Sequence, residues 1–157
     1  MTTIPPPPTT IGENSLTALL STLTLELQPQ TYVFLTVPQH TPIDTIPSRL
    51  LETAILTFRE AEGLTQIVPQ DVALENPHPE VTTQYPCRMI TCAVHSSLEA
   101  VGFLAVLTRA LADKGISCNP VSAYFHDHLF VPVGKEDEAM SVLEGVAREA
   151  KLESGGG

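Results

Sequence analysis

The sequence predicts an α+β fold of the ferredoxin-like βαββαβ kind, and three observations predict it. The first is element order. From residue 87 to 150 apolar runs and amphipathic stretches follow one another as β-α-β-β-α, the split βαβ arrangement that lays helices over one face of an antiparallel sheet. The second is a missing piece: nothing after Lys151 can form the usual last strand. The first part of the chain must then supply it, which predicts two intimately packed lobes rather than two separate domains. The third is composition. Hydrophobic residues make up 43% of the 157 and charged residues 17%, enough to pack a core and too apolar for disorder.

The elements follow in order. Residues 1–13 hold Pro5-Pro6-Pro7-Pro8 between threonines, the composition of a disordered polyproline-type tail or of a weak ligand for a proline-binding module. A first lobe is expected over 14–75. Residues 15–23 read as a short amphipathic helix capped by Ser15, and 32–37 as a strand stopped by Pro38. Residues 53–58 and 64–68 flank a hairpin over 59–63, with Gly63 in the turn. Residues 76–86 carry Pro77, Pro79 and Pro86 without periodicity and read as the connector.

The second lobe is expected over 87–150. Residues 89–94 are apolar throughout, as a central covered strand would be. A helix over 97–114 stops at Gly115. Residues 116–124 form an edge strand, because Pro120 cannot donate to a ladder on both sides. Residues 129–133 make the next strand. Residues 135–148 close as a helix with Ala139, Leu143, Val146 and Ala150 on one face, and 151–157 read as a flexible tail.

Charge narrows the function. Lys+Arg number 8 against 18 Asp+Glu, a net charge of −10, which repels phosphate backbones and anionic membrane surfaces. The N-terminus lacks a signal-peptide pattern, and no apolar run approaches the roughly 20 residues needed to span a bilayer; a cytoplasmic protein is expected. Cys87 and Cys92 match neither redox nor zinc spacing and Cys118 is isolated, so all three read as buried thiols. No nucleophile elbow, phosphate loop, dinucleotide fingerprint or HExxH motif is present, and neither an enzyme nor a cofactor is expected.

The blocks HSSLEAVG at 95–102, KGISCN at 114–119 and YFHDHLFVPV at 124–133 resemble the second half of small tandem ACT-domain proteins. TFREAEGLTQIVP at 57–69 is similar to their first half. The relatives more often carry an aliphatic residue and Gly at the positions of Pro120 and Ala123. The resemblance implies a ferredoxin-like regulatory module that binds a small ligand, most often an amino acid, at an interface between paired domains. It also implies a homodimer.

Strand directions place the binding residues. In a βαββ path His95, at the end of one strand, lies on the same edge as the 124–128 hairpin. His95, Ser96, Ser97 and Leu98 would open a helix whose free N–H groups cradle a carboxylate, unless Ser96 or Ser97 simply caps it. Tyr124, His126, Asp127 and His128 would complete the site, with Asp127, or Glu60 and Glu62 of the other lobe, taking an ammonium group. His126 and His128 at i, i+2 also raise zinc, against which a tight hairpin breaks strand alternation; no metal is expected. Arg59 and Glu60 read as a solvated hairpin or as ligand contacts, Arg59 holding a carboxylate bidentately. At about 100° per residue Phe103, Val106 and Ala110 fall on the outer face of the helix, a contact surface for a second copy or for the first lobe. The alternative function is dimerisation or protein docking without a ligand.

Overall fold

Two long strands carry the architecture. In the computed structural model, which describes residues 12–155, β1 (Leu25–Pro38) and β4 (Thr82–Cys92) run antiparallel side by side. They form the centre of a six-stranded sheet of order β2-β3-β1-β4-β6-β5. β2 (Leu56–Arg59) and β3 (Gly63–Pro69) extend it on one side, β5 (Asn119–Ser122) and β6 (Asp127–Pro132) on the other. Every pairing is antiparallel. Pro120 lies in the edge strand β5, as its missing N–H requires.

Each central strand serves both lobes. The first lobe runs β1, α2 (Ser48–Glu52), β2, β3, α3 (Gln70–Glu75) and the start of β4, with Thr82 opposite Thr36. The second runs from the end of β4 through α4 (Phe103–Asp113), β5, β6 and α5 (Glu136–Gly155). Its last strand is the start of β1, where Leu25 and Leu27 pair with Cys92 and Ile90. The strand missing after Lys151 is thus supplied from the N-terminal part. Exchanging β1 with β4, β2 with β5 and β3 with β6 leaves the sheet order unchanged, so the lobes are related by an approximate twofold.

Both expected boundaries of the central strands move, for one reason. β1 begins at Leu25 rather than Tyr32, and β4 begins at Thr82, inside the expected connector. Pro29 and Pro86 hid these stretches. Each sits where the β1–β4 register shifts, between Leu27 and Thr31 and between Tyr32 and Phe34, and a bulge is where a ladder tolerates a residue without an N–H. Tyr85, with φ of 59°, belongs to the second bulge.

Three clusters make the interior. Leu19 and Leu20 of α1 (Leu16–Ser21) join Phe103, Leu107, Leu111, Ile90, Leu129, Val131 and Leu143 in the core of the second lobe. The N-terminal helix, expected in the first lobe, therefore packs on the second. Val33, Leu35, Val37, Leu50, Val68 and Val72 form the first lobe's core under α2 and α3; neither short helix was expected. Tyr32, Ile67, Cys87 and Phe130 cluster on the opposite, helix-free face, their rings edge to face with Phe34 and Tyr85 beside them. Burial pushes the Cys87 and Cys92 thiols up to about 12 and Cys118 up to about 11.

Other boundaries differ at the ends. The Ser15 side chain accepts from the Ala18 N–H and caps α1. Gly12 and Glu13, expected in the tail, belong to the fold: Glu13 bridges Ser96. The tetraproline lies outside the described residues. Residues 151–155, expected to be flexible, continue α5. Among the described residues no helix is long and apolar enough to cross a membrane.

Within α5, a Cβ on Gly145 would meet nothing closer than the Arg148 side chain at 4.0 Å. Gly145→Ala is expected to stabilise the protein by about 0.5–1 kcal/mol, because a helical glycine loses more backbone entropy on folding than alanine. A thermal unfolding midpoint below the wild type would contradict the helical assignment there.

Candidate functional site

The joints flanking the second lobe's strands meet at one edge of the sheet. Cys92, at the end of β4, stands opposite Asp127, which stands opposite Ser122 on β5. The 93–102 segment and the 123–126 turn therefore leave the sheet together. The Ser96 hydroxyl donates to Asp127 Oδ2 at 2.9 Å and the Ser122 hydroxyl to Asp127 Oδ1 at 2.6 Å. Asp127 is 3% exposed and Ser96 8%; a carboxylate so placed needs such donors to offset its desolvation. The chain's beginning closes this edge, with the Glu13 N–H donating to His95 O and the Ser97 N–H to Glu13 O.

The 97–102 segment is a loop rather than the first turns of a helix. Gly102 has φ of 92°, a left-handed conformation no helix accommodates, and α4 starts after it, at Phe103. Neither serine caps α4. Ser96 is committed to Asp127, and Ser97 Oγ accepts from the Glu99 N–H in a local turn. No side chain caps the α4 N-terminus, which borders a cavity of about 110 Å³ lined by Ser96, Ser97, Leu98, Ser122 and Asp127.

The helix also turns a different face to the core than expected. Phe103, Leu107 and Leu111 point into the core, 3%, 0% and 0% exposed, and Val106 packs beside them. Phe103 and Val106 are thus not the outer contact surface expected, and Ala110 is half-buried. Burying each large side chain is worth about 1.5–3 kcal/mol, which outweighs the cap of about 1 kcal/mol that Ser97 could have offered. The stripe 103-107-111 accordingly sets where the helix lies.

The two histidines take separate partners. His126 Nδ1 lies 3.3 Å from Val94 O, and His128 Nδ1 3.1 Å from Thr91 Oγ1. Among the described residues no group of three or more His, Cys, Asp or Glu is placed to hold a metal. The His95 ring leans on Phe125, 5.6 Å between centroids, and Phe125 on the largely exposed Tyr124 at 4.8 Å. These rings form an aromatic shelf that joins the 93–102 segment to the 123–126 turn, and Leu98 of that segment is also exposed.

Burial first and the neighbouring His126 second hold the His128 imidazole below its usual value, against the opposing pull of Asp127. The unfolded chain then binds this proton more readily, so stability falls as the pH drops below about 6.5 and is regained above it. In His128→Gln the unfolding midpoint should depend less on pH between about 7.5 and 5. An unchanged slope would assign the acid sensitivity elsewhere.

Arg59 and Glu60 do not join this edge. They sit at the β2–β3 hairpin, on the far side of the sheet. β1 and β4 are antiparallel, so that hairpin also projects from the opposite end. Neither Glu60 nor Glu62 can therefore take a ligand group held at Asp127 in the same chain. The signal for the later start of α4, at Phe103, was Gly102, five residues after Ser97.

Comparison with known proteins places this geometry. Family models of the ACT domain match residues 11–88 and 83–145, overlapping within the shared strand β4. A comparison with curated protein sequences found no match. Among solved structures, a protein of unknown function from Vibrio cholerae, described as a possible transport protein, is 35% identical with a TM-score of 0.68, covering 85% of this chain and 97% of its own. The regulatory subunit of aspartate kinase from Thermus thermophilus shares the fold at 11% identity and a TM-score of 0.60, over 81% of this chain and 97% of its own. A protein from Agrobacterium tumefaciens does so at 16% identity and a TM-score of 0.65, over 80% and 89%. Two βαββαβ units sharing their central strands, each matched by its own family model, establish that the chain belongs to the ACT-domain family and carries two ACT domains in tandem.

Proposed function

We propose that the chain is a non-catalytic sensor whose 95–102 loop and 122–128 hairpin hold an amino acid and so regulate a partner. The observation that carries this reading is the buried Asp127 carboxylate beside the uncapped N-terminus of α4, both lining one cavity. An amino acid needs an anion for its ammonium group and backbone donors for its carboxylate, a few ångströms apart. Asp127 and the α4 N–H groups are that pair. A cavity of about 110 Å³ takes the head group alone. The side chain would run out past Leu98 onto the His95–Phe125–Tyr124 shelf, with His126 and His128 shaping the hairpin. The likeness to the regulatory subunit of aspartate kinase supports the same reading.

Thermal unfolding against each of the twenty amino acids tests it. A ligand at 100 times its dissociation constant adds about 2.7 kcal/mol, so one amino acid or a chemically related few should raise the midpoint by several degrees. That rise should vanish in Asp127→Asn. No shift with any amino acid at millimolar concentration would refute the reading.

A second reading, pairing with another copy through the sheet, is favoured by the helix-free face. Phe58 there is 63% exposed, and Phe34, Tyr85 and Met89 are only partly covered. A monomer by sedimentation at high protein concentration would exclude it.

A further inference from the structure

Four large apolar side chains are left exposed at the Asp127 edge. Tyr124 is 64% exposed, Phe125 43%, Leu98 66% and Val101 83%. All four belong to the 93–102 segment or the 123–126 turn, which leave the sheet together. One exposed apolar residue needs no explanation, but several in one place mark a contact surface. The Tyr124 and Phe125 rings meet edge to face at 4.8 Å, and Phe125 meets the His95 ring at 5.6 Å. A row of rings is the surface on which a polyproline helix packs, because that helix is stiff beforehand and lays flat proline rings on aromatic faces.

The chain's own beginning is tied to this edge. Glu13 bridges Ser96 in parallel, its N–H donating to His95 O at 2.9 Å and its O accepting from the Ser97 N–H at 3.0 Å. Gly12 presses on the same backbone, where a Cβ would stand 2.6 Å from Ser97 N and 2.7 Å from the Ser96 carbonyl carbon. The point at which the first residues leave the fold is therefore fixed. Because the bridge is parallel, the chain traced back from Glu13 heads the same way as the chain traced back from Ser96, toward His95, whose ring leans on Phe125. Pro8 stands four residues before Gly12 and Pro5 seven. At about 3.1 Å per residue, a polyproline helix there reaches about 12–22 Å from Gly12, enough to cross from His95 over Phe125 to Tyr124. Residues 1–12 carry no charged side chain, so laying them on an apolar surface strips no charged side chain of its water.

We infer that the shelf of His95, Phe125 and Tyr124 is the docking surface of this chain's own Pro5–Pro8 segment. The contact between rings is weak by itself, but a tether this short raises the effective concentration to about the millimolar range, and a weak contact then suffices. A ligand side chain running onto the shelf would have to displace the prolines. That consequence rests on the small-ligand reading above, whereas the docking does not.

Nuclear magnetic resonance on the full chain, without any added ligand, tests it. Proline ring protons held over an aromatic face move upfield of their positions in a free peptide of residues 1–12. They should also show nuclear Overhauser contacts to the Tyr124 and Phe125 rings. Both signals should be lost in Tyr124→Ala, a change at an exposed position. The combined variant Pro5→Ser, Pro6→Ser, Pro7→Ser and Pro8→Ser should shift the Tyr124 and Phe125 ring resonances and leave the unfolding midpoint where it was. Should Tyr124→Ala disturb the turn, the four-serine variant still decides. Proline resonances at their free-peptide positions in the wild type overturn the inference. So do contacts to the Phe34 and Tyr85 rings of the helix-free face instead. Contacts seen only between labelled and unlabelled copies also overturn it, since the shelf then takes the segment of a second copy. None of these outcomes touches the amino-acid test of the proposed function, which reads a ligand-induced rise in the unfolding midpoint.

Discussion

Gly63→Ala is expected to destabilise the protein by about 3 kcal/mol or more, read as a lower midpoint in denaturant unfolding. A Cβ on Gly63 would stand 2.2 Å from the Val37 carbonyl oxygen, 3.0 Å from its carbon and 3.1 Å from Pro38 Cα. All three neighbours are backbone, so no rotamer change relieves the contact. The φ of Gly63 is not in the left-handed region, so the requirement is space alone. Relief would mean parting β1 from β3 where Pro38 pairs with Gly63. A variant as stable as the wild type would mean that the two strands do not approach so closely.

Asp127→Ala is expected to cost about 2–4 kcal/mol and to free the 95–102 loop. Replacing a whole buried polar network by apolar groups can be nearly neutral, but removing one member leaves the others unpaired. Here the Ser96 hydroxyl stays buried without its acceptor, whereas the exposed Ser122 can turn to water. Ser122→Ala should accordingly cost less. Amide hydrogen exchange provides the local readout: the Glu13–His95 and Glu13–Ser97 bonds should lose protection in Asp127→Ala. Unchanged exchange there would show that Asp127 does not hold the loop.

Much of this edge was legible before the structure. Strand directions alone bring His95–Leu98 and the 124–128 hairpin together, because the β-α-β-β path permits few routes. Pro120 marked the edge strand, and the absence of any strand after Lys151 implied that the N-terminal part completes the second lobe. What the reading mistook follows from local signals with more than one outcome. Ser97 before an apolar run looks like a helix cap, yet Gly102 and the burial of Phe103, Leu107 and Leu111 decide otherwise. Pro29 and Pro86 look like strand breakers until a partner strand supplies the bulge.

The sequence by itself determined the fold class, the pairing of two lobes and the acidic surface, since these depend on periodicity, turn residues and net charge that each segment carries alone. Only the tertiary structure decided which residues share a site. Gln66 and Asp127 are ordinary polar residues in their strands, and nothing local marks one as unpartnered and the other as twice hydrogen-bonded. That difference arises from what lies across the sheet: Ser96 and Ser122 reach Asp127, while Thr57 leaves one end of the Gln66 amide without a partner. Hydrogen-bond satisfaction belongs to pairs of residues distant in sequence, and the fold alone brings those pairs together.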